Sequence, residues 1–314
     1  DGAQYRHFDG AQYRHFGYQL TFFRQALMPT APERDSEWGT NQVYMAHFAV
    51  TDVAGGRFHN FERFSRGSAG LAGATGTPYH VWLESWLVEE TSPGVVRLQA
   101  SEGDVKLDLT LQPLKPPALH GQAGLSQKSS TPGNASYYYS QTRIETTGSV
   151  TVGGQSYAVR GSSWMDHEFG TSFLADNQVG WDWFSLQLDD GRELMFFQIR
   201  QDDGGIEPLS GGSLIDADGT VRHLNREDVI IQVLDRWTSP KTGAVYPAGW
   251  HLSVPLAGLE LDIQPYAGDQ ELTVSYTYWE GGVQVTGQGA NGPISGNGYV
   301  ELMGYVAQLI VPNS

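Results

Sequence analysis

No cysteine occurs anywhere in the 314 residues. That absence removes disulfides, thiolate nucleophiles and cysteine-based zinc sites together, so stability must come from cores large enough to stand without covalent staples. Long apolar runs are missing too: no uninterrupted stretch approaches the ~20 residues of a membrane-spanning helix. Basic residues are scarce, 19 Lys and Arg against 35 Asp and Glu, and the resulting net charge of −16 repels phosphate backbones and anionic lipid. No nucleic-acid partner is expected. Amphipathic helices longer than about three turns are also lacking.

What is present is alternation and turn chemistry. Leu107, Leu109 and Leu111 alternate with Lys106, Asp108, Thr110 and Gln112, and Leu259, Leu261 and Ile263 alternate with Glu260, Asp262 and Gln264. Leu272, Val274, Tyr276 and Tyr278 read as a third such face. Half-buried antiparallel strands give this period. Asp190-Gly191, Asp203-Gly204, Asp218-Gly219, Gly153-Gly154 and Gly281-Gly282 supply the positive φ of tight hairpins. Meandering strands without helical crossovers predict an all-β protein of antiparallel barrels, and the length suits two of them. The boundary falls near Ser172–Val179, giving barrels at 1–174 and 175–314. The Pro/Gly/Ser-rich stretch Pro113–Asn134 reads as a long loop across a barrel mouth, because Tyr137-Tyr138-Tyr139 resumes strand character directly after it.

The octapeptide Asp1–Phe8, DGAQYRHF, is repeated unchanged at Asp9–Phe16, too short a unit for a solenoid. The chain begins without Met or an apolar leader, which leaves room for a removed signal segment and a periplasmic or secreted location.

Several catalytic motifs fail on inspection. Gly287, Gly289 and Gly292 have dinucleotide-loop spacing, but Pro293 follows where a helix must start, so a hairpin is expected. His167-Glu168 opens like a zincin, yet Thr171 stands where the second His belongs. No G-x-S-x-G elbow exists, which counts against a serine hydrolase. Neither a metal nor a cofactor is expected.

The chemistry concentrates in Ser162–Asp190, SSWMDHEFGTSFLADNQVGWDWFSLQLDD. Asp166, His167 and Glu168 stand consecutively among Trp164, Phe169, Trp181 and Trp183, where desolvation shifts titration toward neutrality and suits acid–base work. They are the candidate catalytic residues, although a turn cap or ion pair would use the same residue types. On a strand, Asp166 and Glu168 face one way and His167 the other, with Met165 and Phe169, so only one set can line a cavity. Arg143, Glu84 and Asp182 are candidate ionisable partners, each equally able to be a structural salt bridge. Trp82 and Trp86 are read as sharing one strand face with Glu84. Together with Tyr138, Arg143, Trp164, Phe169, Trp181 and Trp183 they form the candidate wall for a long apolar ligand inside a barrel.

GYQLTFFR (Gly17–Arg24), HFAVTD (His47–Asp52), ERFSRG (Glu62–Gly67), VWLESW (Val81–Trp86), YYYSQTR (Tyr137–Arg143), WMDHEFG (Trp164–Gly170), GWDWFSLQLDDG (Gly180–Gly191) and YWEGGVQVTG (Tyr278–Gly287) resemble the carotenoid hydratase/AttH-like family over nearly the whole chain. The resemblance implies two lipocalin-like antiparallel β-barrels packed together and a hydrophobic isoprenoid or lipid as small-molecule partner. It also implies cofactor-free, acid-catalysed addition of water to a double bond, or isomerisation. In the hydratases a Tyr and an Asp lie on the strand corresponding roughly to Glu193–Arg200, which here reads ELMFFQIR. His167 and Phe169 match the His and aromatic positions of the hydratases' D-H-x-aromatic-G motif. The family also admits a non-catalytic lipid carrier or attachment-related binding protein, peripheral association with a membrane, and a secreted hydrolase. Composition sets no oligomeric state.

Overall fold

Alternating stretches fold as strands. In a computed structural model that describes residues 14–28, 30, 36, 38–170 and 174–306, the first three strands are β1 (Phe16–Ala26), β2 (Gln42–Asp52) and β3 (Arg57–Arg66), an antiparallel sheet in that order. A meander follows: β4 (Ala72–Gly76), β5 (Tyr79–Leu83), β6 (Trp86–Ser92), β7 (Val95–Glu102) and β8 (Val105–Pro113). The short β9 (Ala118–Leu119) and β10 (Leu125–Gln127) both pair with β11 (Ala135–Val152), as does β12 (Gln155–Gly170). The remaining strands are β13 (Gln178–Leu188), β14 (Glu193–Gln201), β15 (Gly211–Ile215), β16 (Val221–Asn225), β17 (Ile230–Thr238), β18 (Val245–Val254), β19 (Leu259–Pro265), β20 (Glu271–Thr273), β21 (Thr277–Gly289) and β22 (Gly292–Met303). They form one antiparallel sheet in the order β16-β15-β14-β13-β22-β21-β19-β18-β17, with β20 on β21. Among the described residues, helix is confined to two single turns at Arg226–Asp228 and Pro255–Ala257. The all-β, two-barrel expectation therefore holds. The DGAQYRHF repeat lies, up to residue 13, outside the described residues.

The chain divides into two compact units that interleave rather than meet at one cut near 174. One holds residues 1–114 and 144–163, the other 115–143 and 164–314. The Pro/Gly/Ser-rich stretch belongs to the second unit because its polar groups are satisfied there. The Lys115 ammonium bonds Glu193 at 2.7 Å, and His120 bonds Ser213 at 3.0 Å.

In the first unit, Phe48 and Trp86 meet edge to face at 5.5 Å amid buried Tyr18, Leu83, Leu107 and Leu109. In the second, all nine principal strands send side chains into one cluster, including Phe184, Leu186, Phe196, Leu214, Trp250, Leu261, Trp279 and Val300. This interior is filled with apolar side chains, contrary to the expectation of an aromatic ligand cavity inside the barrel. Strand alternation puts Trp181 and Trp183, each one residue from the inward set, on the opposite face of the sheet.

Two stretches read as single strands are hairpins. Leu83 pairs with Trp86, so Glu84 and Ser85 form a two-residue turn with Glu84 at φ 55°, and Trp82 and Trp86 lie on different strands. Leu272 pairs with Tyr278 across the turn at 274–276. Both turns lack the Gly, Asn or Pro that usually marks a reversal, and side-chain alternation continues across them. Gly289 pairs with Gly292 to close the β21–β22 hairpin, as expected for the rejected dinucleotide loop.

Candidate functional site

The second unit carries an aromatic cluster, with acidic residues beside it, on the outer face of its large sheet. Along β13 and β14, Trp183 pairs with Phe197 and Trp181 with Ile199. Along β22, Glu301 pairs with Trp183 on one side and with Glu280 of β21 on the other. Trp181, Trp183, Phe197 and Ile199, with Met195 and Ile215, pack against Tyr138 of β11, Trp164 of β12 and Ala118 of β9.

Antiparallel strands β11 and β12 sort the acid–His–acid triplet by alternation. Asp166 and Glu168 share a face with Trp164 and with Ser136, Tyr138 and Ser140. His167 goes to the other face with Phe169, where its Nδ1 lies 2.8 Å from the Tyr139 hydroxyl and Phe169 stacks on Tyr137 at 5.4 Å. That second face is exposed. The three titratable residues do not act as one group, and the two acids are the pair that meets the tryptophans.

Of these two acids, Asp166 has the more hydrogen-bond partners. Its Oδ1 accepts hydrogen bonds from Ser140 Oγ and, at 2.8 Å, from Trp164 Nε1. Tyr138 also bonds it, while the Tyr138 oxygen accepts Trp183 Nε1–H at 3.0 Å. Trp164 and Trp183 meet edge to face at 6.4 Å. These donors favour the carboxylate, but loss of hydration outweighs them and pushes Asp166 up to about 6. Water still reaches the residue, which is exposed.

Burial, and after it the Glu280 carboxylate, drives Glu301 well above the usual range while it accepts Trp181 Nε1–H at 3.1 Å. Burial, followed by the charges of Asp166 and Glu168, raises the Tyr138 hydroxyl. Glu168 accepts Ser136 Oγ–H at 2.5 Å and the Lys128 ammonium at 2.8 Å. Lys128 also sits 4.4 Å from the centre of the Phe197 ring.

His120 lies behind Asp166. It is 1% exposed, with Nε2 2.7 Å from Ser140 Oγ and Nδ1 3.0 Å from Ser213 Oγ. Burial holds it down to about 3, so the ring is neutral near pH 7. Its backbone N–H bonds the Tyr138 carbonyl at 3.1 Å. The next residue, Gly121, takes φ 61°, and a Cβ there would stand 2.3 Å from the Leu125 carbonyl oxygen, so this turn requires glycine.

The other expected site residues are elsewhere. Arg143 pairs with Glu193, which is fully buried and also held by Lys115 and Thr142, an ion-pair network separate from the tryptophans. Asp182 faces Arg200, Gln198 and the Tyr305 hydroxyl. Trp82, Glu84 and Trp86 belong to the first unit. There Trp82 Nε1 bonds the Gly70 carbonyl, Trp86 Nε1 bonds the Ser101 carbonyl, and Glu84 pairs with Arg63 at 3.2 Å. His120, Ser140, Glu280 and Glu301 have no sequence signal. A lone His before Gly reads as loop, and a Glu between Val300 and Leu302 reads as the solvent side of a strand. Among the described residues, no group of three or more His, Asp or Glu is arranged to hold a metal ion.

An all-β protein with an acid-bearing aromatic face matches a known group. The chain belongs to the AttH-like family, whose profile matches residues 5–305. A crystal structure assigned as an AttH of Nitrosomonas europaea is 34% identical, with TM-score 0.83 over 94% of this chain and 88% of that one. Kievitone hydratase from Nectria haematococca shares the fold at 15% identity, with TM-score 0.73 over 94% of this chain and 85% of that one. No curated protein matches the chain. None of the helices among the described residues is long and apolar enough to cross a membrane.

Proposed function

We propose that this AttH-like protein is a cofactor-free hydratase or isomerase of a hydrophobic, unsaturated small molecule, with Asp166 as the proton donor. The observation that carries the reading is a solvent-reachable carboxyl titrating at about 6, bonded to the Trp164 indole and to a Tyr138 that holds Trp183. Addition of water, the reaction in the name of kievitone hydratase, reaches this chain through the shared fold alone.

Protonating an isolated alkene makes a carbocation, so the reaction needs an acid still protonated near neutrality, cation-tolerant walls and a nearby base. Asp166 transfers its proton to one alkene carbon. The positive charge on the other carbon faces the indole rings and the Glu168 carboxylate. Water then adds there and returns a proton to Asp166, giving the alcohol. Loss of a neighbouring C–H proton to the same carboxylate gives the isomer instead.

The test is a panel of polyenes and unsaturated lipids screened by mass spectrometry for a gain of one water, or by chromatography for isomers. Asp166→Asn is expected to cut turnover by ~10²–10⁴-fold, the usual weight of a general acid. His167→Ala, on the opposite face, is expected to leave it within a few-fold. Ligands that bind and are recovered unchanged across the panel would identify a carrier and overturn the enzymatic reading.

A further inference from the structure

We propose that His120 is a positioning residue for Asp166, acting through Ser140 so that the serine hydroxyl is aimed at the carboxyl. The inference deepens the reading of Asp166 as proton donor, but it concerns the hydrogen-bond order of the resting protein and is tested without turnover.

The order follows from donor counting along Ser213–His120–Ser140–Asp166. When Asp166 is ionised it can only accept, so the one hydrogen of Ser140 Oγ is donated to Asp166 Oδ1. The serine's contact with His120 Nε2 at 2.7 Å must therefore be one in which nitrogen donates. A neutral imidazole protonated on Nε2 is unprotonated on Nδ1, so Nδ1 accepts from the Ser213 hydroxyl at 3.0 Å. With Asp166 ionised, one tautomer satisfies every member of the chain. Because His120, Ser140 and Ser213 are all buried, the reversed arrangement, in which Ser140 donates to His120, would then leave the Asp166 carboxylate without the serine hydrogen bond.

Burial also limits what the chain does. Ser213 is 1% exposed, so the series ends inside the protein and cannot deliver protons from bulk water. Asp166 reaches solvent itself and has no need of such a wire. What remains is orientation. With Ser140 locked as donor, the carboxylate left after proton transfer is met by a preset O–H, and no hydroxyl has to turn during the reaction.

Other charged groups act on the same atoms. Glu168 and Glu301 face Asp166 electrostatically, and Glu280 faces Glu301. Lys128 and His223 act on His120 and oppose its protonation, together with burial. The variants below leave all of these in place.

Two measurements test the assignment. In ¹⁵N NMR of the intact protein above the Asp166 titration, His120 is expected as the Nε2–H tautomer, and an Nδ1–H tautomer would overturn the proposal. In ¹³C carboxyl titrations, with Asp166→Asn marking the resonance, His120→Leu is expected to raise the Asp166 midpoint by about one pH unit, the effect of one hydrogen bond to a carboxylate. His120→Gln, which restores an N–H donor near the Nε2 position, is expected to keep the wild-type midpoint. If His120→Leu does not fold, the tautomer of His120 in the intact protein decides the question. A midpoint unchanged in His120→Leu refutes the positioning role whether or not the protein proves to be a hydratase.

Discussion

Asp166→Asn should stabilise the protein at pH 8 while removing the proposed proton donor. A carboxyl that titrates at 3.8 in the unfolded chain and about 6 in the folded protein disfavours folding as it ionises. Well below pH 3.8 it is protonated in both states and costs nothing. As pH rises from 4 through 6 the unfolded chain ionises first, and the folded state loses relative stability until both forms are charged above pH 7. The gap of about two pH units corresponds to ~3 kcal/mol for a fully enclosed group, and solvent access at Asp166 reduces this to ~1–1.5 kcal/mol. Asparagine leaves the local bonds largely intact, because Ser140 and Trp164 both donate to the one oxygen, Oδ1, that the amide retains. Its neutrality also relieves Glu301, whose titration the Asp166 charge raises, an effect of the same sign. Urea unfolding of wild type and Asp166→Asn at pH 4 and pH 8 measures the difference directly. The variant is expected to gain ~1 kcal/mol at pH 8 and only about a fifth of that at pH 4. An equal difference at both pH values, or a loss confined to pH 8, would refute the idea that Asp166 is held in a strained, desolvated state. A residue whose neutralisation strengthens the fold and abolishes turnover is retained for chemistry rather than for stability.

Lys115→Met should destabilise the protein by ~3 kcal/mol in the same assay at pH 7, because it removes a cation 2.7 Å from the fully buried Glu193 and leaves Arg143 and Thr142 to hold the charge. A loss below ~1 kcal/mol would mean that the network closes without the lysine. Trp183→Phe keeps a ring against Trp164 but deletes the indole N–H on the Tyr138 oxygen, so it should cost ~1 kcal/mol and raise the Tyr138 titration seen by ultraviolet absorbance, whereas Asp166→Asn should lower it. The donor removed in the first variant favours the phenolate and the charge removed in the second opposes it, so a drop in Trp183→Phe would refute the assignment of that hydrogen bond.

Period-two alternation is local, and it made the strands legible. Leu107, Leu109 and Leu111 are buried while Lys106 and Thr110 are exposed, because each side chain's face follows from its neighbours on the same strand. The same rule separated His167 from Asp166 and Glu168, and the structure follows it. Alternation failed where a strand reversed without a marker, as at Glu84-Ser85, since two residues of turn leave the apolar spacing undisturbed.

The site was legible only in its β12 and β13 half. Trp164, Asp166, Trp181 and Trp183 stand out because aromatic bulk beside a carboxylate is unusual within one strand. Their partners come from far along the chain. Glu301 reaches Trp183 through the β13–β22 register, and His120 reaches Asp166 only because β9 pairs with β11. Neither pairing leaves a trace in local composition. The barrel interior was the expected ligand site, and Trp250 and Trp279 belong to the buried apolar cluster on the inward face. Asp166 stands with the outer-face residues and is exposed, so water and the substrate we propose can approach it there, whereas the inward face would surround the same carboxyl with apolar side chains.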